Sequence, residues 1–134
     1  MEILVDTCVW SLALRRTNDN DIELVNILKD LILEQKVQII GPIRQELLSG
    51  IKSKKQFDNL KSYLSAFPDF PIKTQDYELA AEYFNTNRKN GIQGSNTDFL
   101  ICALSHNYEM PIFTIDKDFE QYAKHCSILI YQAR

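Results

Sequence analysis

An α/β domain, a parallel sheet covered by helices, is the fold class this sequence predicts, and three observations predict it. Short strand-like runs alternate with longer helix-like runs along the whole chain, the pattern of parallel strands joined by helical crossovers. At 134 residues the chain has the size of one domain, large enough to bury a core and too small for two. Two strand-like runs lead into aspartates, Asp6 and Asp116, and sites in open α/β sheets form beyond the carboxyl ends of strands.

Each element follows from local pattern. Ile3-Leu4-Val5 is a buried-strand run ending at Asp6, and an apolar helix with Val9, Trp10 and Leu12 follows it, closing on Arg15 and Arg16. From Asp21 to Leu33 the residues Ile22, Val25, Leu28 and Ile32 form a helical stripe. Asn18, Asp19, Asn20 and Asp21 suit the cap and the positive end of that helix. Val37 to Ile40 reads as a second strand, stopped by Gly41-Pro42, and Pro42 opens a helix that ends near Gly50. Phe57, Leu60, Leu64 and Phe67 repeat at helical spacing, then Pro68 and Pro71 bracket an extended link towards Ile72. Tyr77 to Phe84 is again helical, and Asn90-Gly91 with Gly94 marks a loop. Phe99 to Leu104 is apolar all round, which predicts a central buried helix. Pro111 to Thr114 reads as a strand, Asp118 to Lys124 as a short helix and Ser127 to Tyr131 as a last strand. No repeat, low-complexity stretch or linker interrupts this order, so residues 1–134 read as a single domain.

Composition narrows the function classes. Hydrophobic residues are 45% and charged residues 25% of the chain, an ordinary globular balance. The net charge of -3 supplies no global attraction to a phosphate backbone. A polyanionic substrate would have to be held by local basic patches or by metal ions that offset the acids. Arg15-Arg16, Lys52 with Lys54-Lys55, and Arg88-Lys89 are such patches, and Arg15 and Arg16 are expected nearest the site because they end the helix after Asp6. Cys8, Cys102 and Cys126 are an odd number without C-x-x-C spacing, which argues against a disulfide framework or a zinc site. The N-terminus lacks the pattern of a signal peptide and no window is long and apolar enough for a membrane span. The expectation is a reduced, cytoplasmic domain without membrane contact. No Gly-rich phosphate loop exists to suit a kinase or dehydrogenase.

Four acids stand out by position. Asp6 ends the first strand, Asp116 follows the Ile112-Phe113-Thr114 strand, Glu46 lies one turn from Ile43 on the helix after Pro42, and Asp98 opens the apolar Phe99–Leu104 helix. Carboxylates gathered at one dry rim repel each other, and a divalent cation resolves the conflict. All-oxygen ligands favour Mg²⁺, with Mn²⁺ as a substitute, over zinc. Each acid also has a plainer role. Asp116 can cap the helix containing Phe119, Asp98 completes the capping-box pattern Ser95-x-x-Asp98, and Glu46 alone reads as a solvated helix residue. Asp6 gains little at a strand end unless something binds there.

These residues resemble a known family. Val5-Asp6-Thr7 with Trp10, Ile43-Arg44-Gln45-Glu46-Leu47, Asn96-Thr97-Asp98-Phe99-Leu100-Ile101 and Thr114-Ile115-Asp116-Lys117-Asp118-Phe119 are similar to the motifs of PIN-domain nucleases. Length and the closing Thr-x-Asp-x-Asp-Phe resemble the VapC toxins of toxin–antitoxin systems. The resemblance spans essentially the whole chain and implies a three-layer α/β domain, PIN-like, with about five parallel strands between helices. It implies that Asp6, Glu46, Asp98 and Asp116 are catalytic, with Asp6, Asp98 and Asp116 binding Mg²⁺. Thr7 and Thr114 would support the neighbouring acids by hydrogen bonds, and Asp118 could contribute through the loop.

The activity so implied is metal-dependent hydrolysis of RNA phosphodiesters, with a water oriented or deprotonated by Glu46 or Asp116 and a 5′-phosphate and 3′-hydroxyl as products. The implied partners are an RNA substrate, a small antitoxin whose C-terminal segment covers the site, and a second copy of the chain. The apolar stretch from Phe57 to Phe67 is a candidate docking surface, with core packing as the competing reading. Trp10, Tyr63 and Tyr83 could stack bases and could equally be core residues. A non-catalytic interaction module of the same fold is the alternative function, disfavoured by four intact acids. A receiver-like phosphoacceptor domain would want an acidic pair at the end of strand one, where Val5 and Thr7 flank Asp6. A D-x-D phosphatase fails at Cys8.

Overall fold

The computed structural model describes residues 1–15 and 22–132; Arg16, the capping run Asn18 to Asp21, and the last two residues lie outside the described residues. At the centre is β1 (Ile3–Val5), buried along its whole length. It pairs in parallel with β2 (Val37–Gln38) on one side and β3 (Ile112–Phe113) on the other, giving the order β2-β1-β3. Leu4 stands opposite both Gln38 and Ile112, and Val5 opposite Phe113. A strand covered on both faces must be apolar at every position, which is why Ile3-Leu4-Val5 is continuous rather than alternating.

The sheet has three strands where about five were expected. The two missing edges are present as single parallel bridges, Ile39 to Asp69 and Ile112 to Ile130. The Phe70 amide donates to the Ile39 carbonyl at 2.8 Å, on the edge of β2 away from β1. At the opposite edge Ile112 donates to Leu129 and accepts from Tyr131, each at 2.8 Å. On the β2 edge the Phe70 amide makes the bond, and Pro68, two residues earlier on the same side, has no amide to add another. The Ser127–Tyr131 run is therefore an extended edge with one bridge, a correction to the strand expected there.

Seven helices flank the sheet among the described residues: α1 (Thr7–Leu14), α2 (Ile22–Leu33), α3 (Gly41–Leu48), α4 (Lys54–Leu64), α5 (Thr74–Lys89), α6 (Asn96–Tyr108) and α7 (Asp118–Tyr122). Helix α3 starts at Gly41 with Pro42 in its first turn, where the missing amide costs nothing. Its Arg44 reaches across to the end of α4, pairing with Asp69 at 2.9 Å and donating to the carbonyls of Leu64, at 2.9 Å, and Phe67. That clamp fixes the helix carrying Glu46. Helix α6 is buried from Phe99 to Ser105, as its all-round apolarity predicts, and α5 packs along it.

Asp76 explains how α5 and α6 keep register. Its side chain is fully buried; one oxygen accepts from the Lys73 amide at 2.9 Å and Tyr108 Oη at 3.0 Å, the other from Asn107 Nδ2 at 2.8 Å. Removing the acceptor strands three donors, although water can reach Asn107 and Lys73, both exposed. Asp76→Ala is expected to cost about 2 kcal/mol in a denaturant titration, within the range for orphaned buried hydrogen-bonding groups.

Candidate active site at the carboxyl rim of the sheet

Because β1 and β3 are adjacent and parallel, their carboxyl ends release the chain at the same rim. The Asp6 amide donates to the Phe113 carbonyl at 2.9 Å, the last bond before the two chains diverge. Asp6 then serves as N-cap of α1, its Oδ1 accepting from the Thr7 amide at 2.8 Å. Its Oδ2 accepts from Thr114 Oγ1 at 2.8 Å and Cys8 Sγ at 3.4 Å. The carboxylate is only 6% exposed and no cation faces it among the described residues. Burial raises its pKa; the hydrogen bonds from Thr114, Thr7 and Cys8 work against that, and the charge of Asp116 adds to it.

Thr114 links two acids. Its hydroxyl donates to Asp6 and accepts from the Asp116 amide at 3.0 Å, so one side chain sets the spacing between both strand ends. Asp116 Oδ1 accepts from the Asp118 amide at 2.9 Å, and the Asp116 carbonyl accepts from the Phe119 amide at 3.2 Å. The capping role considered for Asp116 is thus real and does not exclude another. Asp116 acts electrostatically on both Asp6 and Asp98, whereas Asp118, exposed at the start of α7, meets Asp116 through its backbone.

Asp98 enters from α6. Ser95 caps that helix, accepting from the Asp98 amide at 3.0 Å, and the Asp98 carboxylate turns to Tyr122, whose hydroxyl donates to Oδ2 at 2.8 Å. Burial raises the Asp98 pKa, the Tyr122 hydrogen bond opposes this, and the charges of Asp6 and Asp116 raise it further. Burial together with the carboxylate beside it also pushes the Tyr122 phenol well up, so it stays a donor. The charge of Asp116 thus bears on both Asp6 and Asp98, and that of Asp6 on Asp98.

Glu46 joins more loosely. It is exposed on α3, beside buried Ile43 and Leu47 and not on their core-facing flank, and its Oε1 accepts from Thr7 Oγ1 at 2.7 Å. Thr7 thus gives its amide to Asp6 and its hydroxyl to Glu46. Arg15 is the C-cap of α1, about 13.5 Å along the helix from Asp6. It lines a groove of about 940 Å³ with Cys8 and Ile115 near the acids and Leu60 and Tyr63 of α4 beyond. Of the aromatic candidates, Trp10 is buried against Phe67 and Tyr83 is buried and bonded to His106, while Tyr63 stands in the groove.

The donor set is hard and anionic, with carboxylates that disfavour one another's charge, and this chemistry fits a divalent cation. As placed, no group of three or more His, Cys, Asp or Glu side chains among the described residues is arranged to hold a metal ion. The acids share a rim and an electrostatic neighbourhood.

Two residues of the site have no signal in the sequence. Tyr122 sits at helical spacing from Phe119 and reads as core, which it also is, and nothing couples it to Asp98 before the chain folds. Gly94 reads as a loop marker, yet a Cβ there would overlap the Tyr122 hydroxyl and lie 2.8 Å from its Cζ and 2.9 Å from Phe99 Cε2. Gly94 makes room for the tyrosine that holds Asp98.

Fold and rim together define a parallel α/β domain with an acidic cluster where β1, β3 and α6 converge. The family model for the PIN domain matches residues 3–125, and the chain belongs to that family, whose members are generally nucleases. A search of curated protein sequences returns no match. Among solved structures, FitAcB from Neisseria gonorrhoeae superposes with a TM-score of 0.76 at 23% identity, covering 97% of this chain and 96% of that one. VapBC2 from Rickettsia felis, bound to a DNA fragment from its promoter, gives 0.76 at 19% identity and 98% of both chains. A toxin–antitoxin complex from Klebsiella pneumoniae gives 0.62 at 19% identity, covering 88% of this chain and 90% of that one. At these identities the likeness is one of fold. No helix among the described residues is long and apolar enough to cross a membrane.

Proposed function

We propose that this chain is a metal-dependent endoribonuclease, the toxin of a toxin–antitoxin pair acting in the cytoplasm. The observation that carries the reading is the meeting of Asp6, Asp98 and Asp116, from three separate elements, at one rim, with Asp6 and Asp98 both desolvated and their pKa values raised chiefly by burial. A bound cation would offset carboxylate charge kept from water in this way. Three free thiols agree with a reduced compartment.

In this reading Asp6, Asp98 and Asp116 hold Mg²⁺, for which Mn²⁺ can substitute. Bound there, the ion would offset the carboxylates and polarise the scissile phosphate. The remaining work belongs to the chain. Thr114 and the Thr7 amide keep Asp6 from turning away, and Tyr122 does the same for Asp98. Glu46 has one oxygen committed to Thr7, which leaves Oε2 to orient a water and take its proton. Asp116 is the alternative base, with Oδ1 committed to the Asp118 amide. Arg15, and Arg16 beyond the described residues, would bind RNA phosphates. The apolar groove between α1 and α4 is the surface for a segment of the antitoxin, which would reach the acids past Cys8 and Ile115. A homodimer completes the proposal and predicts twice the 15.6 kDa chain mass in sedimentation.

The test is cleavage of RNA by the purified chain with Mg²⁺, beside Asp98→Asn. Wild type should cleave and lose activity in EDTA, and Asp98→Asn should fall by at least about a hundredfold with its fold intact. A variant that cleaves like wild type would remove the carboxylate mechanism.

A further inference from the structure

The loop between α5 and α6 closes a second, smaller cavity of about 200 Å³, lined by Phe84 and Arg88 of α5, Ile92, Gln93 and Gly94 of the loop, and Phe99 of α6. Its wall is aromatic, with Phe84 and Phe99 meeting edge to face, ring centres 5.6 Å apart and planes at 76°. Its mouth is polar, with Arg88 and Gln93 both exposed. Arg88 forms no ion pair among the described residues. The cavity also adjoins the acidic rim. Gly94 abuts Tyr122, the donor to Asp98, and the Phe99 ring lies 4.8 Å from the Tyr122 ring.

We propose that this cavity is a nucleotide subsite, which takes one unstacked base of single-stranded RNA with Arg88 on the adjoining phosphate. The proposal rests on the ribonuclease reading for the nature of the polymer, but not on catalysis. Three features select a nucleotide. The half-buried Phe84 ring, backed by buried Phe99, offers apolar contact to a base, the Gln93 amide offers a donor and an acceptor to its edge, and a guanidinium without a carboxylate partner among the described residues suits a phosphate. A purely apolar ligand would leave the mouth unused, and an acidic peptide would leave the wall unused. On a chain of net charge -3 any hold on a polyanion is local, and Arg88 is the cation that lines this cavity. The cavity's place next to Asp98 would seat the base close to the scissile bond.

The experiment measures binding of a fluorescently labelled single-stranded RNA dodecamer of mixed sequence in EDTA, so that cleavage plays no part. Wild type is compared with Arg88→Ala, Gln93→Ala and, as a control for general charge, Lys29→Ala, an exposed lysine of α2. Arg88→Ala should weaken binding about fivefold or more, Gln93→Ala about threefold and Lys29→Ala less than about twofold, in line with one phosphate contact and one base contact. AMP or CMP at millimolar concentration should also shift the ring proton resonances of Phe84 and Phe99. If Arg88→Ala and Gln93→Ala bind as wild type does, or no more weakly than Lys29→Ala, there is no subsite here, even if the enzyme cleaves RNA with Mg²⁺. If these differences appear and Mg²⁺ supports no cleavage, the subsite stands and the nuclease reading falls. Should Arg88→Ala leave RNA binding intact and instead alter self-association in sedimentation, the surface is a protein interface and the proposal is wrong.

Discussion

Asp6→Asn is expected to abolish RNA cleavage while making the metal-free protein more stable. Asp6 is almost wholly buried, faces no cation among the described residues and lies within reach of the negative charge of Asp116. Its pKa is raised by burial first, so the folded state disfavours the charged form. Asparagine keeps an oxygen for the Thr7 amide that caps α1, and its amide can donate to Thr114 Oγ1, which can accept. The change therefore removes a desolvated charge with little loss of packing. A gain of order 1 kcal/mol, or roughly 3 °C in Tm, is expected by calorimetry in EDTA. Cleavage, by contrast, should fall by at least about a thousandfold, since an anionic metal ligand supplies several kcal/mol to the transition state. The two measurements pull in opposite directions, and only a functional carboxylate predicts both. A structural Asp6 would lose stability on substitution.

Gly94→Ala should lower activity and stability together, although Gly94 bears no chemistry. A methyl at that position has nowhere to go, because the Tyr122 ring it meets is fully buried and wedged between Phe99 and Phe119. Relief requires the ring to shift, and the ring's hydroxyl holds Asp98 Oδ2. Overpacking of this kind costs about 1–3 kcal/mol of stability. If Asp98 serves in the proposed metal site, its displacement should lower kcat by about tenfold to a hundredfold, the range seen when the outer partners of metal ligands are lost. Tyr122→Phe separates the two effects. It keeps the ring and removes the hydrogen bond, so it should lower activity about tenfold without the stability loss. If Gly94→Ala is destabilised and fully active, Tyr122 supports the core and not Asp98.

Much of the fold was legible because its signals are local. Ile3-Leu4-Val5 reads as a buried strand, Pro42 as a helix start and Phe99 to Leu104 as a buried helix, and each stands where its pattern puts it. The outer strands were harder. Pro68 and Pro71 signal an extended link, but how many ladder bonds that link makes depends on Ile39, which lies about thirty positions earlier in the chain. Ser127 to Tyr131 has strand composition, and it pairs only where Ile112 offers both of its backbone groups.

Asp6 shows where the division lies. That an acid follows the first buried strand, and that Asp116 follows another, can be read from local pattern, and parallel pairing brings those two to one rim. How the acids are held comes from packing across elements. Thr114 spans Asp6 and Asp116, Thr7 divides its donors between Asp6 and Glu46, and Tyr122 reaches Asp98 through the room left at Gly94. Periodicity and end signals record what a residue does within its own helix or strand. A hydrogen bond between side chains 24 or 108 positions apart depends on packing that exists only once the whole chain is folded.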